Sequence, residues 1–173
     1  MAAQTQTQTD QAKQAIANAE LFETATTDFT SSEIGTRFCA LLFAWVEPRQ
    51  LGRVLGSRTE FQLPNGKVLT PRLAFVAATR LKRTPRMYPQ LAPDMIVEIK
   101  SAFDVLPRLQ ENVQAAIALD VQVGLLIDPD EQTVTIYRPN NVIVTLTDRD
   151  VLTVPELLPG WELPISSLWS PVF

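Results

Sequence analysis

Glu98 and Lys100 stand two residues apart in PDMIVEIKS, Pro93 to Ser101, a run that is otherwise apolar and strand-like. On a strand, residues i and i+2 project from one face about 7 Å apart at the backbone, which turns Ile99 the other way. A core strand normally excludes such charges, because an ionised group buried without a partner costs several kcal/mol. The stretch therefore reads as a site or an edge. A carboxylate beside an ammonium group at a strand end suits metal-assisted phosphodiester hydrolysis: the acid holds Mg²⁺ or Mn²⁺, which polarises the phosphate and acidifies a bound water. The lysine orients the nucleophile or stabilises developing negative charge. Asp94 has the same parity but lies about 13 Å from Glu98 along an extended strand, too far to share one ion, and enters only as an auxiliary acid.

The rest of the composition removes more chemistry than it adds. Histidine is absent, which excludes Ser-His-Asp and Cys-His catalysis and most zinc sites. Cys39 is the only cysteine, so no intrachain disulfide forms, and its apolar helical setting reads as a small buried core residue. None of the six glycines falls in a phosphate-cradling GxGxxG or GxxxxGK[ST] loop. What remains is carboxylate, lysine and hydroxyl chemistry, with a hard metal ion as the expected cofactor.

The 173 residues suffice for one domain. The longest apolar run, Phe38 to Val46, has nine residues, well short of the ~18 that cross a bilayer. The start, MAAQTQTQTDQAKQAIANAE, lacks a basic region followed by an apolar one, so a cytoplasmic location is expected. Residues 1–28 are read as a flexible extension and 29–173 as the single domain. Net charge is −4 but unevenly spread: residues 49–100 hold ten basic and three acidic side chains, whereas residues 101–173 hold three and ten. In RLAFVAATRLKRTPR, Arg80, Lys82, Arg83 and Arg86 form a candidate footprint for a polyanion such as DNA; an ordinary solvated loop is the plainer reading.

The elements that must position these groups follow from periodicity. TSSEIGTRFCALLFAWVEP reads as a helix, with Thr30 and Glu33 in capping-box spacing and a stop at Pro48. RVLGSRTEFQLPNGKVLTPRLAFVA gives a hairpin turning at Asn65-Gly66. DMIVEIKS is a strand, and DVLPRLQENVQAAIALD a crossover helix with Asp104 as N-cap and one apolar face of Leu106, Leu109, Val113, Ala116 and Ile117. VQVGLLIDP, TVTIYRP and NVIVTLT are three further strands. The proline-rich tail is expected to lack regular structure while packing Trp161, Leu163 and Trp169 onto the body, with a dimer contact as the lesser use. The result is an α/β domain on one mixed sheet, ordered α-β-β-β-α-β with a C-terminal hairpin.

An ExK pair on a central strand, after a hairpin and before an amphipathic helix, is the arrangement of the PD-(D/E)xK nucleases. From about Ser32 to Trp169 the chain resembles one family of that superfamily, the "putative restriction endonuclease" or Uma-two family, in FQLPNGKVLTPRLAFV, LAPDMIVEIKSAFD, VGLLIDPDEQTVTIYRP and LLPGWELPISSLW. The resemblance implies a restriction-endonuclease-like core and a metal-dependent DNA endonuclease, with Glu98 as metal ligand, Lys100 as transition-state stabiliser and Glu33 as a further metal-binding acid. It also shows departures. Arg72 stands where the family carries its second metal-binding aspartate, and Asn112 and Ala116 stand where relatives carry lysine and tyrosine. Two readings follow: a Mg²⁺- or Mn²⁺-dependent endonuclease, or a catalytically silent nuclease fold in which Arg72 pairs with Glu98 and the protein serves as a binding module. A homodimer is expected by analogy, since cutting a duplex favours two-fold symmetry.

Overall fold

The first helix, α1, spans Phe29–Val46 and buries Ile34, Phe38, Leu42 and Val46, a stripe at four-residue spacing that faces the sheet. A computed structural model describes residues 27–56, 59–63, 65–81 and 90–170. Most of the expected extension, and Lys82, Arg83 and Arg86, lie outside the described residues. The expected capping box is corrected: Asp28 is the N-cap, and its carboxylate accepts from the Ser31 N–H at 2.8 Å. The helix thus starts two residues earlier than the Thr30 box requires, which puts Ser31 in the third helical position and leaves Glu33 to other partners.

The remaining elements are β1 (Gly52–Leu55), β2 (Phe61–Gln62), β3 (Val68–Leu69), β4 (Leu73–Ala77), β5 (Met95–Ile99), α2 (Leu106–Ile117), β6 (Val123–Asp128), β7 (Thr133–Arg138), β8 (Val142–Leu146), β9 (Val151–Thr153) and β10 (Glu162–Pro164). The main sheet runs β1-β4-β5-β6-β7-β8. Only β5 and β6 are parallel, because α2 crosses between them; every other neighbouring pair is antiparallel. The expected hairpin is thereby refined. Its arms β1 and β4 pair within the sheet, while the Asn65-Gly66 turn, with Gly66 at φ 80°, joins β2 and β3 in a separate ribbon.

Alternation splits the strands into two faces. Leu73, Phe75, Val97, Ile99, Leu125 and Ile127 pack toward α1, whereas Ile96, Leu126 and Tyr137 pack with Val113 and Ala116 of α2. Strand β6 is buried at all six residues, as expected of a strand covered on both sides. The helix α2 sits close enough that a Cβ on Gly124 would lie 2.4 Å from Val113 Cγ1. The apolar face read from its sequence is the one it buries or half-buries. Asp104, however, does not cap it; Val105 occupies the N-cap without a side-chain bond.

The C-terminal segment is more regular than its prolines suggest. β10 pairs with β9, and a 3₁₀ turn follows over Ile165–Leu168. Trp161 and Leu163 join the α1-side core, with Trp161 edge-on to Phe38 at 5.9 Å, and Trp169 packs against that core half-buried. Its prolines flank the strand or terminate it, where a missing N–H is tolerated. No helix among the described residues is long and apolar enough to cross a membrane.

Candidate functional site

The carboxyl ends of the parallel strands β5 and β6 bring the ExK pair beside two acids that the sequence does not mark. Parallel pairing sets Glu98 against Leu126, and the Lys100 N–H continues the ladder to Ile127 O at 2.9 Å. Glu98, Lys100 and Asp128 therefore share the α2-side face by parity. Lys100 Nζ lies 3.7 Å from Asp128 Oδ1 and bonds Asp130 as well, while its side chain keeps only 16% exposure. The hydrogen bond that Lys100 donates to Asp130 and the charge of Asp128 raise the Lys100 pKa against the opposing effect of burial. Lys100 is thus a fixed cation at neutral pH and not a base.

Asp128 is buried and already employed. Its Oδ1 accepts from the Asp130 N–H at 3.0 Å, closing the turn from β6 to β7. The next turn of chain beyond Lys100 is built as tightly. Asp104 folds back to accept from both the N–H and the hydroxyl of buried Ser101, at 2.9 and 2.6 Å. Asp28 joins the two regions: besides capping α1 it accepts from the Ala102 N–H at 2.7 Å, and the Ser31 hydroxyl donates to Lys100 O at 2.7 Å. Donated hydrogen bonds, led by that of the Ser31 N–H, lower the Asp28 pKa. Helix start and strand end are clamped by one carboxylate.

Arg72 lies one residue before β4. The β4–β5 register pairs Leu73 with Val97 and Ala74 with Ile96, so one further step sets Arg72 opposite Glu98. Both residues are half-buried. Arg72 also lines a cleft of about 650 Å³ between α1 and the β1–β4 hairpin. It is lined by the hydroxyl-bearing Thr27, Ser31, Ser32 and Thr36 and by the apolar Cys39, Ala40, Phe43 and Leu73. The Thr27 hydroxyl is buried without a hydrogen-bond partner. Cys39 lines this cleft and packs against the α1-side core half-buried, where full burial was expected, and burial raises its thiol pKa.

The remaining predicted residues are held elsewhere. Asp94, just ahead of β5, is 1% exposed, and its carboxylate accepts from the Ala77 N–H at 2.8 Å, Arg80 at 2.9 Å and Gln122 at 2.6 Å. Arg80 is thereby tied down at its guanidinium. Glu33 takes Arg37 at 2.6 Å and the Ser170 hydroxyl at 2.5 Å, bonds that lower its pKa. Of the relatives' lysine and tyrosine positions, Asn112 is exposed and Ala116 is buried in the α2 contact.

A hard divalent cation takes six or more oxygens, commonly from several carboxylates. Among the described residues, no group of three or more His, Cys, Asp or Glu is placed to hold a metal ion. Glu98 faces a guanidinium position across the sheet, and Asp128 is spent on Lys100 and its turn. The described residues thus do not fit a Mg²⁺ or Mn²⁺ centre. What they build is a carboxylate with an arginine position opposite it in register and an acid-bound lysine two residues on, while the hydroxyl-lined cleft opens against α1.

Sequence reasoning missed Asp28, Asp128 and Asp130. The available signal for Asp128 was its place at the end of the strand running parallel to VEIKS, since ligands of open α/β sheets gather beyond such carboxyl ends.

Compared with solved structures, the fold is similar to that of a "putative nuclease belonging to DUF820" from Anabaena variabilis, with a TM-score of 0.74, 23% identity and coverage of 83% of this chain and 82% of that one. No curated protein matches the chain. The model of the Uma2 family, described as "Putative restriction endonuclease", matches residues 3–166 and so takes in the segment read as an extension. With residues 3–166 of its 173 matched by the family model, the chain belongs to the Uma2 family.

Proposed function

We propose that this protein binds nucleic acid through a phosphate in the cleft at Arg72, and that it is a nuclease fold in which an arginine has taken the place of a divalent cation. The observation that carries this reading is the register that sets Arg72 opposite Glu98. A guanidinium there balances the carboxylate without metal, and its planar fork has donors to spare for a phosphate. The Ser32 hydroxyl and the unpartnered Thr27 hydroxyl of the cleft offer further donors to the same oxygens.

The test is binding of labelled oligonucleotides, DNA and RNA, with and without EDTA. Wild type should bind with a steep salt dependence that EDTA leaves unchanged. Arg72→Ala should weaken binding about 10-fold or more, and Glu98→Gln, which removes a negative charge beside the guanidinium, should tighten it.

A metal-dependent DNA endonuclease built on Glu98 and Lys100 is the competing reading. It draws on one observation, that the pair shares a face at the carboxyl ends of the parallel strands. Cleavage of supercoiled plasmid by wild type with Mg²⁺ or Mn²⁺, abolished in Glu98→Ala and Lys100→Ala, would establish that reading and overturn the first.

A further inference from the structure

Strand β8 closes one side of the main sheet and is exposed at four of its five residues. Val142, Ile143 and Val144 are 47%, 48% and 42% exposed. By register with β7, Val142 and Val144 follow Arg138 and Ile136 on one face, and Ile143 follows Tyr137 on the other, so both faces of the strand keep exposed apolar surface. Pairing to β7 is continuous over five residue pairs with no bulge. The strand's ends are fixed too: Asn140 and Asn141 make a tight turn at φ 62° and 56°, and the Asp150 carboxylate holds the N–H and hydroxyl of Thr147.

Edge strands usually carry a charge, a proline or a bulge that blocks further pairing. Between Asn140 and Thr147 the chain has no charged residue and no proline. The opposite edge, β1, carries Arg53.

We propose that β8 is an association edge and that its occupant is a second copy of this chain, paired antiparallel about a two-fold axis through Val144. An open edge accepts only an extended segment, and this one needs a segment that is apolar on both faces. Among the described strands of four or more residues, β8 alone is both exposed and uncharged. Pairing about Val144 sets Val142 against Leu146 of the second copy and Ile143 against its Thr145, with no charge opposed to a charge. Docking β1 on β8 would instead press Arg53 into an apolar edge and leave the assembly open to endless growth. The two-fold pairing closes after two chains. It is independent of the nucleic-acid reading.

Sedimentation of the full chain across micromolar concentrations tests this. Wild type should be a dimer. Val144→Lys, which sets two ammonium groups across the axis, should weaken association about 100-fold or more with the circular dichroism spectrum retained. Thr153→Lys on exposed β9 should leave the dimer intact. In a Cys39→Ser background, Val144→Cys should form an inter-chain disulfide under mild oxidation and Thr153→Cys should not. This second arm decides the matter should the lysine variant fail to fold. A wild-type monomer at tens of micromolar, polymers in place of dimers, a dimer indifferent to Val144→Lys, or a dimer without the Val144→Cys cross-link overturns the proposal.

Discussion

The two ends of β5 each place a carboxylate next to an arginine position, and they do opposite things with it. At the entrance, Asp94 is buried to 1% exposure, its carboxylate accepts three hydrogen bonds, and Arg80 is only one of the donors. Its backbone carbonyl also receives Gln122 and Val123, so the one residue joins β4, β5 and β6. At the exit, Glu98 is half-buried, a guanidinium position stands opposite it in register, and Lys100 is steadied by acids from the next strand. The same residue class is a fastening where it is fully buried and a candidate site where it keeps partial exposure at the carboxyl ends of the parallel strands. Depth of burial, more than charge itself, distinguishes the two carboxylates.

The most severe way to break this contrast is Asp94→Ala. It leaves the Ala77 N–H, Arg80 and Gln122 without their acceptor and should cost about 3–5 kcal/mol in urea unfolding. Glu98→Ala should cost less than about 1 kcal/mol. Equal losses at the two ends would erase the distinction.

Lys100→Met comes next, because it strands the buried Asp128 carboxylate and should cost about 1–3 kcal/mol. Lys100 has a raised pKa in the folded state, so the stability it lends is complete below the ordinary lysine value and is lost as pH rises through the folded one. Wild type should weaken on the alkaline side, and Lys100→Met should lack that decline when unfolding is followed against pH.

Asp28→Ala removes the α1 cap and its tie to Ala102, for about 1 kcal/mol, read from the thermal midpoint. The lowered Asp28 pKa means its contribution is present above the ordinary carboxylate value and disappears as acid takes pH down through the folded one. Asp28→Asn should therefore flatten part of the acid limb.

The smallest expected change in stability sharpens the comparison most. Glu98→Gln should stay within about 0.5 kcal/mol of wild type while altering oligonucleotide affinity, measured by fluorescence anisotropy. A stability loss with unchanged affinity would make the exit as structural as the entrance.

Much of this was legible before any coordinates. The period-two alternation in PDMIVEIKS put Glu98 and Lys100 on one face with Ile99 on the other, and the structure buries Ile99 against α1. The helical spacing of Leu106, Leu109, Val113, Ala116 and Ile117 gave the correct packing face of α2. Cap choice was not legible: Thr30 with Glu33 is as good a capping box on paper as Asp28 is a cap, and the Ala102 N–H that favours Asp28 lies 74 residues away. Likewise, nothing local in IDPDEQ shows that Asp128 and Asp130 will meet Lys100.

The sequence by itself determined the repeating pattern, and with it the two faces of each strand, the family, and the charge reversal at Arg72. These depend on spacing along the chain, which folding does not alter. Only the tertiary structure decided what each charge answers to: that Asp94 fastens three strands, that Lys100 is held by Asp128 and Asp130, and that Arg72 comes into register with Glu98 beside a cleft. Partners across a sheet are fixed by strand order and register, and those emerge from burying the whole core at once.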